Sequence, residues 1–510
     1  MAQYLSQRIE GPIWLEPTDI SFLRARISDV ETQVEKLQSQ ISELTHQKDA
    51  KLVEIASLEN VLSPIRRVPP EIISEIFELA CLPEEGKSMY EHSIAQYTSI
   101  LCAVCVAWRK VAHATPRLWS ELCLSLKGRK PVIPELGWVK EWIHRSQGLP
   151  LDLYLNFDTR SGISPAISSQ FMENILGFSH KIRLLNLEGH ISFFIPLFSL
   201  PRSSLPQLEE VYLEISSFSS SNDDMYADLT YHEVPSQIET FLGAPKLRCV
   251  ELIEEDTTPI LKKFALPAEQ FTSLKITSTI VKPSYFDPDA YTDILRRCKD
   301  LVHLRVDLGL DFEPDFVLFS HYLSISLPSL RSLDISALMI SGNDVNLLHC
   351  LTTPHLEELT LRYNVQDLDA LLVDVTSFQH RSSALLSSLT LVGFWPFRET
   401  NENLTQTFTA LFSLFPAVRS LRMHECAFNM DELLQALTFT KGHPVLLPKL
   451  TNFELRAQDD MEEFPSELTP MILSRSLHDE TEGVDGLLRL QKVISELPDL
   501  VVDFGFLDPI

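Results

Sequence analysis

Long hydrophobic runs are missing from this chain. The best apolar stretch, Ile191 to Leu200, is followed by Pro201. It falls short of the ~20 residues that a membrane-spanning helix needs. The first residues lack the basic start and apolar run of a secretory signal. Basic residues are in deficit, 43 against 70 acidic ones, and the formal charge of -27 repels phosphate backbones and anionic membranes. Neither nucleic acid nor a membrane is expected as a partner, and the expected location is the cytoplasm or nucleus. Asn403-Leu404-Thr405 is then a chance match to the glycosylation triplet. The 8 cysteines are scattered. Cys102 and Cys105 form the only C-x-x-C pair, with no second pair at zinc spacing, so buried thiols are expected rather than a metal site or disulfide framework. The 15 histidines are dispersed. H-E-x-x-H, G-x-S-x-G, the Walker loop and G-x-G-x-x-G are all absent. No catalytic residue, cofactor or metal is expected, and the chain is not read as an enzyme. Few glycines, 16 in 510 residues, and 45% hydrophobic composition indicate a globular chain with room for several domains and a large core.

What the chain does contain is most distinctive between Ser63 and Leu126. Pro69 and Pro70 suit the first turn of a helix, and Glu71 and Glu75 sit near its positive end. Ile72, Ile73, Ile76, Phe77, Leu79 and Ala80 then recur at helical spacing. A polar stretch from Pro83 to Ser93 follows. Ile100, Leu101, Val104, Cys105, Trp108, Val111 and Ala112 next mark one face of a second helix, which Pro116 ends. Leu118 and Trp119 drop back as anchors. Helices this short need tertiary packing.

The block resembles the F-box. That family's Leu-Pro-x-Glu start is matched by Val68, Pro69, Glu71 and Ile72, with Val68 in place of Leu. Its Val-Cys-x-x-Trp-Arg helix is matched by Val104, Cys105, Trp108 and Arg109, and its closing Leu-Trp by Leu118 and Trp119. The stretch from Glu84 to Thr98 is longer than a minimal F-box needs. The resemblance implies docking to a Skp-family adaptor, and through it to a cullin-RING ubiquitin ligase. It assigns adaptor binding to Val68, Pro69, Glu71, Ile72, Ile73, Ile76, Val104, Cys105, Trp108, Leu118 and Trp119.

Upstream, Leu23, Ile27, Val30, Val34, Leu37, Ile41 and Leu44 alternate steps of four and three, the seam of a coiled coil. Glu31, Glu35, Lys36 and Glu43 flank it. Lys48 falls on the seam, and the phase shifts before Leu52, Ile55 and Leu62. The seam fits either a homodimer or partner helix through residues 20–62, or a helix folded back on its own repeats.

From about residue 150 the chain repeats an apolar, two variable, apolar, variable, apolar unit. It occurs as Ile182, Leu185, Leu187; Leu208, Val211, Leu213; Leu247, Val250, Leu252; Phe271, Leu274, Ile276; and Leu301, Leu304, Val306. It continues as Leu330, Leu333, Ile335; Leu356, Leu359, Leu361; Leu386, Leu389, Leu391; Val418, Leu421, Met423; and Leu450, Phe453, Leu455. Pro206, Pro245, Pro328, Pro354, Pro416 and Pro448 each stand two residues before the first apolar position, where they end a helix and turn the chain into a strand. Helices are predicted over Trp138–Ile143, Tyr291–Cys298, Val345–Leu351, Leu404–Leu414 and Asp431–Leu437. Strands are predicted at Leu151–Phe157 and, as a cap, Leu497–Phe506. Ser216–Asp224 and Asp459–Glu463 read as loops.

The array is similar to degenerate leucine-rich repeats. Only Leu356 to Gln366 and Val418 to Phe428 carry the longer consensus, and Gln366 stands where an apolar residue belongs. The order of coiled coil, F-box and degenerate repeats resembles the large F-box families of mushroom-forming fungi. The resulting fold class is an α N-terminal part, a long coiled-coil helix plus a small helical F-box domain, followed by an α/β leucine-rich-repeat solenoid, or horseshoe. Its divisions are a flexible start (1–19), the coiled-coil helix (20–62), the F-box domain (63–126) and the repeats (127–510).

By the period-two rule, Asn186, Tyr212, Glu251, Lys275, Arg305, Asp334, Thr360, Thr390, Arg422 and Glu454 form one outward column. Glu188, Glu214, Thr277, Asp307, Arg362, His424 and Arg456 form the next. Tyr212, Arg305, Arg362 and Arg422 are the candidate anchors for a protein substrate, because Arg and Tyr are enriched at binding hot spots. Two functions fit this layout: a non-catalytic substrate receptor of an SCF-type ubiquitin ligase, or an interaction scaffold outside the ligase.

Overall fold

A computed structural model describes residues 14–81, 94–126, 136–157, 172–216, 237–254, 260–278, 288–308, 324–338, 347–364, 368–394, 401–426, 428–441, 443–456, 465–476, 487–497 and 500–503. Most of the start expected to be flexible, Glu84–Ser93, all but Ser216 of the loop expected at Ser216–Asp224, the loop expected at Asp459–Glu463, Val345, Gln366 and the tail beyond Asp503 lie outside them; Ser216 is the last residue of a strand. The chain forms two compact units, residues 1–76 and 77–510.

The first unit is dominated by α1, an unbroken 46-residue helix from Pro17 to Leu62. Pro17 opens it with a preset φ. Extended Ser63 and then Pro64 stop it. Arg66 fastens the next turn back by donating from Nε and Nη2 to Asn60 Oδ1 at 3.1 and 3.0 Å. No residue of α1 is buried. The helix α2, Pro70–Ala80, starts in this unit and ends in the next.

In the second unit, α3 (Ile94–Val104), α4 (Val106–Ala114), a 3-10 turn (Pro116–Trp119) and α5 (Leu136–Arg145) accompany a fourteen-stranded sheet whose order follows the chain. Its strands are β1 (Glu121–Leu126), β2 (Leu151–Phe157), β3 (Ile182–His190), β4 (Glu210–Ser216), β5 (Cys249–Glu254), β6 (Ser273–Ser278) and β7 (His303–Leu308). There follow β8 (Ser332–Leu338), β9 (Glu358–Asn364), β10 (Ser388–Val392), β11 (Ser420–His424), β12 (Asn452–Arg456), β13 (Lys492–Leu497) and β14 (Leu500–Asp503). Neighbours from β1 to β13 pair in parallel. The later connections carry α6 (Pro288–Arg297), α7 (Leu368–Ser382), α8 (Asn401–Ser413), α9 (Asp431–Leu437) and α10 (Leu468–Ser476).

The repeat unit explains this order. Its last two apolar residues lie on one face of each strand, and Leu185 with Leu187, Val250 with Leu252 and Leu421 with Met423 are all buried. The residue after the first apolar position stitches unit to unit: the N–H of Arg248 bonds the Glu209 carbonyl, Thr272 bonds Arg248, Val302 bonds Thr272 and Arg331 bonds Val302, and the pattern continues to Gln491 on Thr451. Gly189, at φ +135°, is required where β3 passes β2, because a Cβ there would lie 2.2 Å from the Phe157 carbonyl oxygen.

Several expectations change in detail. The repeated prolines do more than stop helices. Each follows a residue whose carbonyl accepts from the first apolar N–H of the unit, as in Leu208 to Leu205, Leu247 to Ala244 and Val418 to Phe415. Proline's fixed φ suits the second position of such a turn. The helix expected to run continuously through Ile100 and Ala112 breaks at Cys105, which is extended at φ -160° and ψ 170°. Residues Ile94 to Thr98, read as insertion, belong to α3. Glu121–Leu126 pairs with β2 as the first strand of the sheet. Leu351 is not helical but pairs with Ile325 in a separate two-residue ladder. The cap is a hairpin: β13 extends the parallel series and β14 returns antiparallel to it, Leu497 facing Leu500.

Candidate docking surfaces

The F-box-like residues of the second unit form a small helical core. Phe77 is buried, its ring 5.0 Å from Trp108. Cys105 separates α3 from α4 and caps the latter, its Sγ accepting from the Trp108 N–H at 3.4 Å. Arg109 reaches back with Nε to the Cys102 carbonyl at 2.8 Å, serving an acceptor in the last turn of α3. The Val-Cys-x-x-Trp-Arg spacing thus builds a helix-break-helix corner. Trp119 donates from Nε1 to the Ala112 carbonyl at 2.8 Å and packs edge-on against Trp142 with centroids 4.7 Å apart. The Arg145 guanidinium lies 4.7 Å from the Trp119 ring centroid, a cation–π distance.

This geometry sorts the expected adaptor residues. Leu118 and Trp119 are only 2% and 3% exposed, so they are supports and not a docking face. Ile73 is buried as well, while Cys105 and Trp108 are half-buried. Val104 is exposed, and in the first unit so are Pro69, Glu71, Ile72 and Ile76, with Val68 half-buried. The second unit adds large exposed apolar residues outside the predicted set. Leu79, Tyr97, Ile100 and Val106 join Val104 at 44–69% exposure. Tyr97, Ile100 and Val104 recur at three and four along α3, a stripe beside buried Ile94 and Thr98. That second stripe was legible, but Tyr97 stood in the stretch Glu84–Thr98, read as longer than a minimal F-box needs. Apolar side chains grouped on short helices are uncommon on a surface with no partner.

The other surface is the sheet face turned away from the core. Strand register places Tyr154, Asn186, Tyr212, Glu251, Lys275, Arg305, Asp334, Thr360, Thr390, Arg422 and Glu454 in one continuous row. In the next row Thr277, Asp307, Ser336, Arg362, Val392, His424 and Arg456 are successive partners. All four candidate anchors stand on this face, and each has a partner there. Tyr212 donates to Glu214 Oε2 at 2.6 Å. Arg362 forks onto Asp334, Nε to Oδ1 at 2.9 Å and Nη2 to Oδ2 at 3.2 Å, and this bond holds its pKa above the ordinary guanidinium value. Arg305 lies 3.6 Å from both Asp307 and Asp334. Glu454 gathers Arg422 at 3.4 Å, His424 at 3.3 Å and Arg456 at 2.6 Å. Burial keeps His424 below its ordinary pKa although Glu454 opposes the shift. Lys275 pairs with Glu251. Tyr212–Glu214, Arg305–Asp307 and Arg456–Glu454 pair along one strand; the pairings of Arg305 and Arg362 with Asp334, of Arg422 and His424 with Glu454 and of Lys275 with Glu251 depend on side-chain reach across neighbouring strands, which spacing did not reveal.

Burial raises the thiols of Cys81, Cys102 and Cys249, and pushes Cys123 and Cys350 to about 11 and Cys298 and Cys426 to about 12. Such thiols are poor nucleophiles. Among the described residues no cluster of three or more His, Cys, Asp or Glu could hold a metal ion, and no helix is long and apolar enough to cross a membrane. No protein-family model matches the chain, and no curated protein matches it.

Proposed function

We propose that the chain is a non-catalytic substrate-receptor subunit of an SCF-type cullin-RING ubiquitin ligase. The observation that carries this reading is the exposed apolar set Leu79, Tyr97, Ile100, Val104 and Val106 on the helices with the F-box-like spacing. A Skp-family adaptor would cover it, while Cys105, Trp108, Arg109 and Trp119 keep the corner rigid. The sheet, read as degenerate leucine-rich repeats, would hold the target through the charged rows on its outer face. Catalysis is then proximity, a raised local concentration of target lysines, with the bond chemistry in other subunits.

The test is co-expression with a Skp-family adaptor and size-exclusion chromatography with mass detection. An Ile100→Asp, Val104→Asp variant places two carboxylates where burial would be required, and neither side chain supports the fold. Co-elution of wild type and a more than about hundredfold weaker complex of a folded variant are the expected results. Absence of any complex with wild type overturns the proposal and leaves the scaffold reading.

A further inference from the structure

The helix α1 ends with its apolar seam uncovered. Ile27, Val30, Val34, Leu37, Ile41 and Leu44 are 44–63% exposed. Because the helix is unbroken from Pro17 to Leu62, one heptad count can be carried through it. It places Ile27, Val34, Ile41, Lys48, Ile55 and Leu62 at the a positions, and Leu23, Val30, Leu37, Leu44, Lys51 and Leu58 at d. The phase that the sequence showed as shifting near Leu52 therefore continues. It is interrupted by a single heptad with lysine at both seam positions. The second lysine is tied along its own helix, Lys51 Nζ to Glu54 Oε2 at 2.7 Å.

We infer that α1 is the interface of a homodimer, a parallel two-stranded coiled coil over Leu23 to Leu44 that parts at Lys48 and Lys51. The occupant is a second copy for two reasons. β-branched residues at each a position up to Ile41, with mostly leucine at d, are the combination that selects two strands in a parallel coiled coil. The flanks also suit an in-register copy: Arg26 at g faces Glu31 at e of the partner helix, twice by symmetry, while Gln33 faces Gln38 and Gln40 faces Thr45 without charge. Beyond that point the same register would stack Lys48 on Lys48 and Lys51 on Lys51 and bring Glu54 against Glu59. Like charges thus end the paired segment. This inference does not depend on the ligase reading.

The experiment is size-exclusion chromatography with mass detection on the full chain over a wide concentration range. The expected mass is twice the 58.0 kDa of the chain. Val34→Asp, Ile41→Asp buries four carboxylates per dimer and is expected to raise Kd more than about a thousandfold, with circular dichroism reporting retained fold. Glu31→Arg weakens the dimer, and adding Arg26→Glu restores it. Leu23→Cys forms an intermolecular disulfide under mild oxidation that wild type does not, because only a parallel arrangement brings this end of the helix to its own copy. A mass of one chain at every concentration overturns the inference, as does a dimer insensitive to the aspartates. A dimer that Leu23→Cys fails to cross-link overturns the parallel arrangement.

Discussion

Arg475 is fully buried on α10, and its removal has a calculable local cost. Its guanidinium donates into the segment before β12: Nε to the Leu437 carbonyl at 2.6 Å, Nη1 to Leu447 at 3.0 Å and Nη2 to Leu446 at 2.5 Å. Burial pushes its pKa down to about 10, which leaves it charged at neutral pH. The grip falls on a strained position. Leu447 has φ 49°, left-handed for a branched residue, and precedes Pro448, where extended geometry is preferred. Arg475→Met keeps length and apolar volume but removes the donors. Leu447's carbonyl retains the Leu450 N–H at 3.0 Å, so the carbonyls of Leu437 and half-buried Leu446 bear the loss. An orphaned buried acceptor costs ~1–3 kcal/mol, part of it offset because the guanidinium no longer needs desolvation. The net expectation is about 2–3 kcal/mol, or roughly 30- to 150-fold faster local opening. Hydrogen exchange over peptides spanning Leu433 to Arg456 measures it, with β3 to β5 as the internal control. Arg475→Lys keeps one donor group and should fall between. Unchanged exchange in Arg475→Met would refute the reasoning. So would equal acceleration in both regions, because the clasp acts on the entry to β12 and hence on where Glu454 meets Arg422, His424 and Arg456.

Two further predictions concern charge. Asp374 on α7 is buried enough to raise its pKa from 3.8 to about 6, and its Oδ1 lies 3.7 Å from His349 Nδ1. The native state therefore binds the proton more tightly than the unfolded chain. This contribution is full below about pH 4 and is lost as pH rises through about 6. Asp374→Asn should then stabilise by up to about 2–3 kcal/mol at pH 8 and hardly at pH 4 in denaturant titrations, and an equal gain at both pH values would contradict the burial argument. On the sheet face, Arg362→Glu, Arg422→Glu sets like charges beside Asp334 and Glu454. It should cost about 1–2 kcal/mol of stability while abolishing target capture in pull-downs, and intact capture would remove both arginines from the anchor set.

Much of this architecture is written in local spacing. An apolar triplet at fixed intervals needs only period two to put Leu185 with Leu187, or Leu421 with Met423, on the buried side of a strand. A seam of threes and fours needs only the helical repeat to line up Ile27 through Leu44. The Val-Cys-x-x-Trp-Arg spacing likewise held the elements of the α3–α4 corner. Other features depend on side-chain contacts that periodicity does not show. Spacing could not show that Cys105 would break the helix, because the break depends on its Sγ capping Trp108 and on Arg109 reaching the Cys102 carbonyl. Nor could it separate Trp119, held inside by Ala112 and Trp142, from Ile100, left outside; both are large apolar residues, and burial depends on what packs against them. The charge partners of Arg362 and Arg422, Asp334 and Glu454 on neighbouring strands, were fixed only by strand register and side-chain reach. The sequence determined which residues share a face, since periodicity is a property of the local backbone. Which of those faces are covered, and which charges meet across strands, was decided by the tertiary structure, because both depend on residues far away along the chain.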